Sequence, residues 1–316
     1  MCCFTQPVIS VNNTEIFARL SGIGSQFLAY QMSYESQDEN AMILPIPVKK
    51  TGDGDAVRFI DLENYPDFFE NLSSCFPYEA PAGISIGCSM PKTAHVDSAL
   101  QVFEVGNYIA SFVPSIDDFD RLDPKFKFSD QVWDQIPDYK TFGFAVFQLA
   151  AGALKPHPMA FEFQTDSDEL FFPTLHIHDG EVHDREEFDH VLYMQHAGLD
   201  STAYGYKNSD VEDRSTGLIR SKYRASRRCS IGRSKGLLES ELLLHRKIIR
   251  GQRTNCDTVI SPPGDPMKTS LNFRPLMAYS PWLIPLAAIG WFFNRRSKIK
   301  RMTQSKFPES DSEIAE

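Results

Sequence analysis

The stretch from Val102 to Val113, VFEVGNYIASFV, decides the reading of the fold. Two runs rich in Val, Phe, Ile and Tyr flank Gly106-Asn107, a dipeptide suited to the positive φ of a tight turn, so the segment reads as a β-hairpin. The same pattern continues on both sides. From Gln26 to Glu35 large and small residues alternate, placing Leu28, Tyr30, Met32 and Tyr34 on one face of a strand. Further strands are expected over Phe142 to Leu149, Met159 to Phe163, Leu170 to His178 and Phe188 to Gln195. Helix signals are short by comparison. Ser115-Ile116-Asp117-Asp118 has the form of a capping box, and Tyr65 to Glu70 carries Pro66 near a helix start. The fold class expected is therefore α+β, a mainly antiparallel β body with short helices.

Charge divides the 316 residues unevenly. The formal net charge is −10, yet residues 1–213 hold 12 basic and 34 acidic side chains, while residues 214–301 hold 19 basic and 4 acidic. The sequence thus reads as an acidic globular body over 1–213 and a basic linker over 214–270. A hydrophobic segment with a basic flank follows over 271–301, and an acidic, disordered tail over 302–316. In the linker, Ser234 to Gly251 places Leu238, Leu242, Ile248 and Ile249 at helical spacing, which predicts a short amphipathic helix. No charge interrupts Pro275 to Asn294, a span long enough to cross a bilayer as a helix, and Arg295, Arg296, Lys298, Lys300 and Arg301 follow it. Against that stand Pro275, Pro281, Pro285 and the polar Ser280, which make the span less regular and leave a buried or surface-lying amphipathic element as the alternative. Membrane lipids are the partner expected through residues 275–301. No nucleic acid is expected, because the basic stretch is joined to no nucleic-acid-binding motif.

The six cysteines are too few and too scattered to staple a fold, and the N-terminus lacks the basic and apolar runs of an export signal. The body is accordingly expected in the cytoplasm. No Gly-rich phosphate loop and no Gly-x-Ser-x-Gly elbow occurs, so nucleotide binding and ordinary serine hydrolysis have no support.

The chemistry-bearing segment is Phe171 to His183, FFPTLHIHDGEVH. Asp179-Gly180 is a favoured type I′ hairpin turn. With that turn, His176, His178, Glu181 and His183 share one strand face, while Ile177 and Val182 share the other. Three imidazoles and a carboxylate at cross-strand distance are a ligand set for zinc or another divalent transition metal, and Asp179, Asp184 or Asp189 are placed to orient the rings. A solvated, carboxylate-neutralised His cluster is the alternative, with Glu186 and Glu187 close by. His190 and His196 reach the cluster only if their strand packs beside it. A second reading starts at Cys2, whose α-amino group, once Met1 is removed, would activate its own thiol as in N-terminal-nucleophile hydrolases, with a buried structural pair Cys2-Cys3, or thiols contributing to the His site, as the favoured alternative.

Four blocks also carry a resemblance. They are Met1-Cys2-Cys3-Phe4 with Gln6-Pro7-Val8, the run Ala41 to Val48 (AMILPIPV), Tyr65 to Phe69 (YPDFF), and Phe172 to His183 (FPTLHIHDGEVH). Over about the first 200 residues the chain resembles a family of uncharacterised bacterial proteins sharing these blocks. More distantly, its Ile-Leu-Pro-Ile-Pro run is similar to a bacterial domain family of unknown function that often carries a C-terminal hydrophobic anchor. Neither resemblance implies an activity. The sequence therefore points first to a membrane-associated β-rich binding or scaffold module with a His-rich metal site. The alternatives are a metal-dependent hydrolase or oxygenase at His176, His178, Glu181 and His183, and a Cys2 amidohydrolase.

Overall fold

The structure is a computed structural model that describes residues 3–22, 24–49, 56–77, 102–106, 108–202, 209, 211–213 and 216–262. Cys2, and with it the N-terminal nucleophile reading, lies outside these residues, as do the segment 275–301 and the tail. No described helix is long and apolar enough to cross a membrane.

Among the described residues two large sheets dominate. The smaller runs β1 (Cys3–Phe4), β4 (Asn40–Ile46), β8 (Gly143–Leu149), β7 (Tyr108–Val113) and β6 (Val102–Val105), all antiparallel. The larger runs β13 (Ile219–Arg224), β14 (Leu243–Thr254), β12 (Arg185–Gln195), β2 (Ser10–Leu20), β3 (Ser25–Ser36), β10 (Met159–Gln164) and β5 (Val57–Asp61), with β9 (Gly152–Leu154) added on β3. In it β2 and β12 lie parallel and the other pairs antiparallel. A short pair joins β11 (Leu170–Phe172) to β15 (Thr258–Ile260). The expected hairpin forms, with Val105 opposite Tyr108.

Between the sheets lies the principal core. One sheet contributes Leu28, Tyr30, Met32, Tyr34, Phe161 and Leu192, the other Met42, Leu44, Ala110 and Phe147. Both sheets are covered on their outer faces as well. Helix α1 (Phe68–Ser73) and the 229–238 turns pack Phe68, Phe69, Leu72, Leu237 and Leu238 on the large sheet. The 3-10 turns around Phe119 and Tyr139, with α2 (Asp130–Gln135), pack Phe119, Trp133 and Tyr139 on the small one. Burial on two faces explains why all seven residues of β4 are buried and why its sequence, NAMILPI, is almost continuously apolar instead of alternating. Pro45 is tolerated there because β1 pairs only with Met42 and Ile43 and leaves one edge at Pro45 unladdered.

Two readings of the basic stretch are corrected. Ser234 to Gly251 is not an amphipathic helix: from Leu243 it is the long strand β14, paired residue for residue with β12. Leu238, Leu242, Ile248 and Ile249 fit a helical stripe in isolation, but ten cross-strand pairs with β12 override that propensity. Nor is 219–233 a free linker. Strand β13, Ala225 and Cys229 are built into the body, and Leu244 N–H donates to Ser221 Oγ at 3.0 Å.

Candidate metal centre

The segment 174–178 is held as an extended strap between two neighbours. On one side Phe4 N–H donates to Ile177 O (2.9 Å) and Val8 N–H to His178 O (3.2 Å). On the other, the Asn255 side chain acts as a substitute strand, accepting from His176 N–H (2.7 Å) and donating to His176 O (2.9 Å). Asp257 Oδ1 accepts from Thr174 N–H (2.8 Å) and Leu175 N–H (3.0 Å), and its Oδ2 accepts from Tyr139 O–H (2.5 Å). Proline at 173 and these side-chain partners replace a regular ladder, which is why the expected strand stops at Phe172.

The type I′ turn does not form. Gly180 has a φ of 86°, but Asp179 does not adopt the positive φ that the turn needs. Asp179 instead folds over its own chain: Oδ1 accepts from Glu181 N–H (3.1 Å) and Oδ2 contacts His183 Nε2 (2.8 Å). Glu181 and His183 are therefore exposed and are not brought together with His176 and His178. Asp179 raises the His183 pKa through this hydrogen bond. The third group that could serve as a ligand is Glu186, one of the carboxylates read from sequence as a neutralising neighbour. One ligand atom each from His176, His178 and Glu186 lies within 4.8 Å of the others.

Strand β12 explains how Glu186 arrives there. Its face that buries Leu192 and Met194 in the core carries His190, Phe188 and Glu186 successively outward, by the two-residue period. The His176 ring lies over Phe188 (centroids 4.2 Å, 31°), and its Nε2 is 3.3 Å from His190 Nε2. His190 thus reaches the cluster, whereas His196 turns to the start of α3 (Ala197–Thr202), with Nδ1 accepting from Gly198 N–H at 3.0 Å. His176 Nδ1 and His178 Nε2 are both buried without a hydrogen-bond partner. An uncompensated buried ring nitrogen costs free energy, and a metal ion would repay it.

Burial lowers the pKa of all three rings: His176 and His190 far below the usual imidazole value, His178 to about 4. Burial also raises that of Glu186. At neutral pH the imidazoles are uncharged and offer lone pairs, the form a metal requires. Ligand atoms on a tetrahedral ion with bonds of about 2.0–2.2 Å stand about 3.3–3.6 Å apart, so the observed set closes with a side-chain shift of about an ångström. Two His and one carboxylate leave a fourth position for water or a donor atom from a bound molecule.

Neutral burial has an acid cost. Each ring binds a proton in the unfolded chain below about pH 6.5 but not in the folded one, so its contribution to stability falls as pH drops through that value. Glu15, raised by burial to about 7, and Asp257, raised by burial to about 6, act in the opposite sense and mask the effect in the whole protein. The comparison that isolates it is His190→Leu against wild type in chelator, followed by urea unfolding. The variant is expected to lose about 2 kcal/mol less than wild type between pH 7 and pH 5. Parallel pH dependences would show that His190 is protonated in the folded state.

The cluster borders a cleft of 260 Å³ lined by Val8, Ile9, Ser10, Val11, Asn12, His178, Glu186, Glu187 and Asp189. No known protein-family model matches the chain. Among solved structures, the chain is similar to baculovirus P35 at TM-score 0.40 and 13% identity, over 83% of this chain and 100% of that one. It is also similar to a chain in the caspase-8/P35 complex at TM-score 0.42 and 13% identity, over 80% and 97%. A mutated baculovirus P35 after caspase cleavage is similar at TM-score 0.40 and 14% identity, over 80% and 100%.

Proposed function

We propose that this protein is a β-rich binding module that holds one divalent transition-metal ion, zinc foremost, through His176, His178 and Glu186 at the wall of its cleft. The observation that carries the reading is the convergence of the three ligand atoms within 4.8 Å, two of the side chains having buried ring nitrogens without partners. The borderline nitrogen and oxygen donor set favours zinc over calcium or magnesium, which prefer oxygen alone. The ion fixes the strap 174–178 against β12 and presents its open position to whatever enters the cleft.

Elemental analysis of the full chain, produced in metal-replete medium, tests this. About one equivalent of zinc is expected in wild type and in His183→Ala, and less than about one-tenth in His178→Ala and Glu186→Gln. Far-ultraviolet circular dichroism of each variant separates ligand loss from unfolding. A metal-free wild type, or loss of metal from His183→Ala but not from Glu186→Gln, would sink the assignment.

A further inference from the structure

The cleft lies at a place where two parallel strands part. The ladder between β2 and β12 runs from Glu15/Val191 to Arg19/Gln195. Continued outward in the same register, it would pair Asn13 with Asp189, Val11 with Glu187 and Ile9 with Arg185. Among the described residues those pairs do not form. The cause is local. Asn13 adopts a φ of 54° and the β2–β3 register shifts between Asn12 and Glu15, a bulge of the kind that bends a strand and interrupts its pairing. Asn13 N–H donates to the Asp189 carboxylate Oδ2 (2.5 Å) and closes the apex of the gap.

The lining shows that the gap is at the strand edges and not above a sheet face. Val8 to Asn12 line it consecutively, although their side chains alternate in direction. From β12, Glu186 on one face and Glu187 and Asp189 on the other reach it together. Among the described residues, β12 pairs only with β14 over Arg185 to Asp189, so alternate residues turn their N–H and C=O groups into the gap. Such an edge is a template for an added strand.

We infer that the gap between β2 and β12 accepts a short extended segment of a partner protein, added as a strand on the Arg185–Asp189 edge, with Lys or Arg alternating with apolar residues. Charge complementarity selects that occupant: Glu187 and Asp189 line the gap, joined by Glu186 when no ion is bound, and among the described residues no Lys or Arg does. Val8, Ile9 and Val11 supply the apolar contacts, and Ile9 is 57% exposed. Four residues, Glu186 to Asp189, span about 13 Å of strand, which sets the length of the docked segment at about four residues. This inference does not rest on the metal ion, since the edge and its carboxylates are present without it.

The test uses the full chain, isotopically labelled for amide NMR, with the blocked peptide acetyl-KVKVKV-amide as probe, in chelator and again with zinc. Saturable shifts are expected in residues 9–13 and 185–190 under both conditions. Methylating the peptide's alternate backbone nitrogens should weaken binding by at least about tenfold, because the main-chain hydrogen bonds are lost. Glu187→Lys should weaken it similarly, and acetyl-EVEVEV-amide should not bind. Absence of binding up to about 1 mM peptide, shifts confined to other surfaces, or equal binding of the methylated peptide would each overturn the proposal. None of these outcomes depends on whether the chain carries metal.

Discussion

Replacing Phe161 by Ala is expected to remove about 3–5 kcal/mol of stability, enough to bring a protein of ordinary stability close to its unfolding threshold. Phe161 is fully buried on β10, paired with Leu28 on β3 and Phe59 on β5. Its ring meets Phe59 (6.2 Å), Phe147 (6.1 Å) and Phe163 (6.1 Å), so it joins the two sheets across the core. Truncation leaves a cavity that neighbours fixed in ladders on both sides cannot collapse to fill, which places the cost toward the upper part of that range. Urea unfolding, monitored by near- and far-ultraviolet circular dichroism, measures it. Phe161→Leu should lose about a third as much. A change below about 1 kcal/mol for the alanine variant would mean that the sheets do not pack through this ring.

The β body was legible because its strands carry local signals. Alternation over Gln26 to Glu35 names the four residues that the core does bury on one face, Leu28, Tyr30, Met32 and Tyr34. The Gly106-Asn107 hairpin likewise needs nothing beyond its own twelve residues. Strand β14 reads as a helix in isolation because LLLHRKIIR carries apolar residues at both periods, and only the pairing with β12 decides between them. The candidate site was half legible for a related reason. His176 and His178 alternate on one strap, and that spacing is local. Whether their partners are Glu181 and His183 or Glu186 and His190 depends on the φ of a single residue, Asp179, in a dipeptide that is compatible with more than one turn. The clue that would have favoured Glu186 was present in EEFDHVLYM: the two-residue period puts Glu186 and His190 on the same face as Leu192 and Met194.

Asp257→Ala tests whether the strap and the proposed metal site stand or fall together. The Asp257 carboxylate gathers three donors that no other described group is seen to satisfy: Tyr139 O–H and the backbone N–H groups of Thr174 and Leu175. Deleting it leaves those part-buried donors without their acceptor, Tyr139 itself being buried, and each orphaned donor costs about 1–3 kcal/mol unless water enters. A total loss of about 3–5 kcal/mol is expected, similar to that for breaking a buried charged contact. Asp257→Asn keeps an acceptor oxygen for one of the two sites and should lose about half as much. The consequence reaches His176, one residue beyond Leu175. With the strap loosened, its backbone clasp by Asn255 is no longer aligned, and zinc affinity should fall by about 10–100-fold even where the variant remains folded. Calorimetric unfolding and zinc titration on the same preparations read the two effects separately. Full zinc affinity in a destabilised but folded Asp257→Ala would show that Asn255 and the N-terminal strand alone position His176.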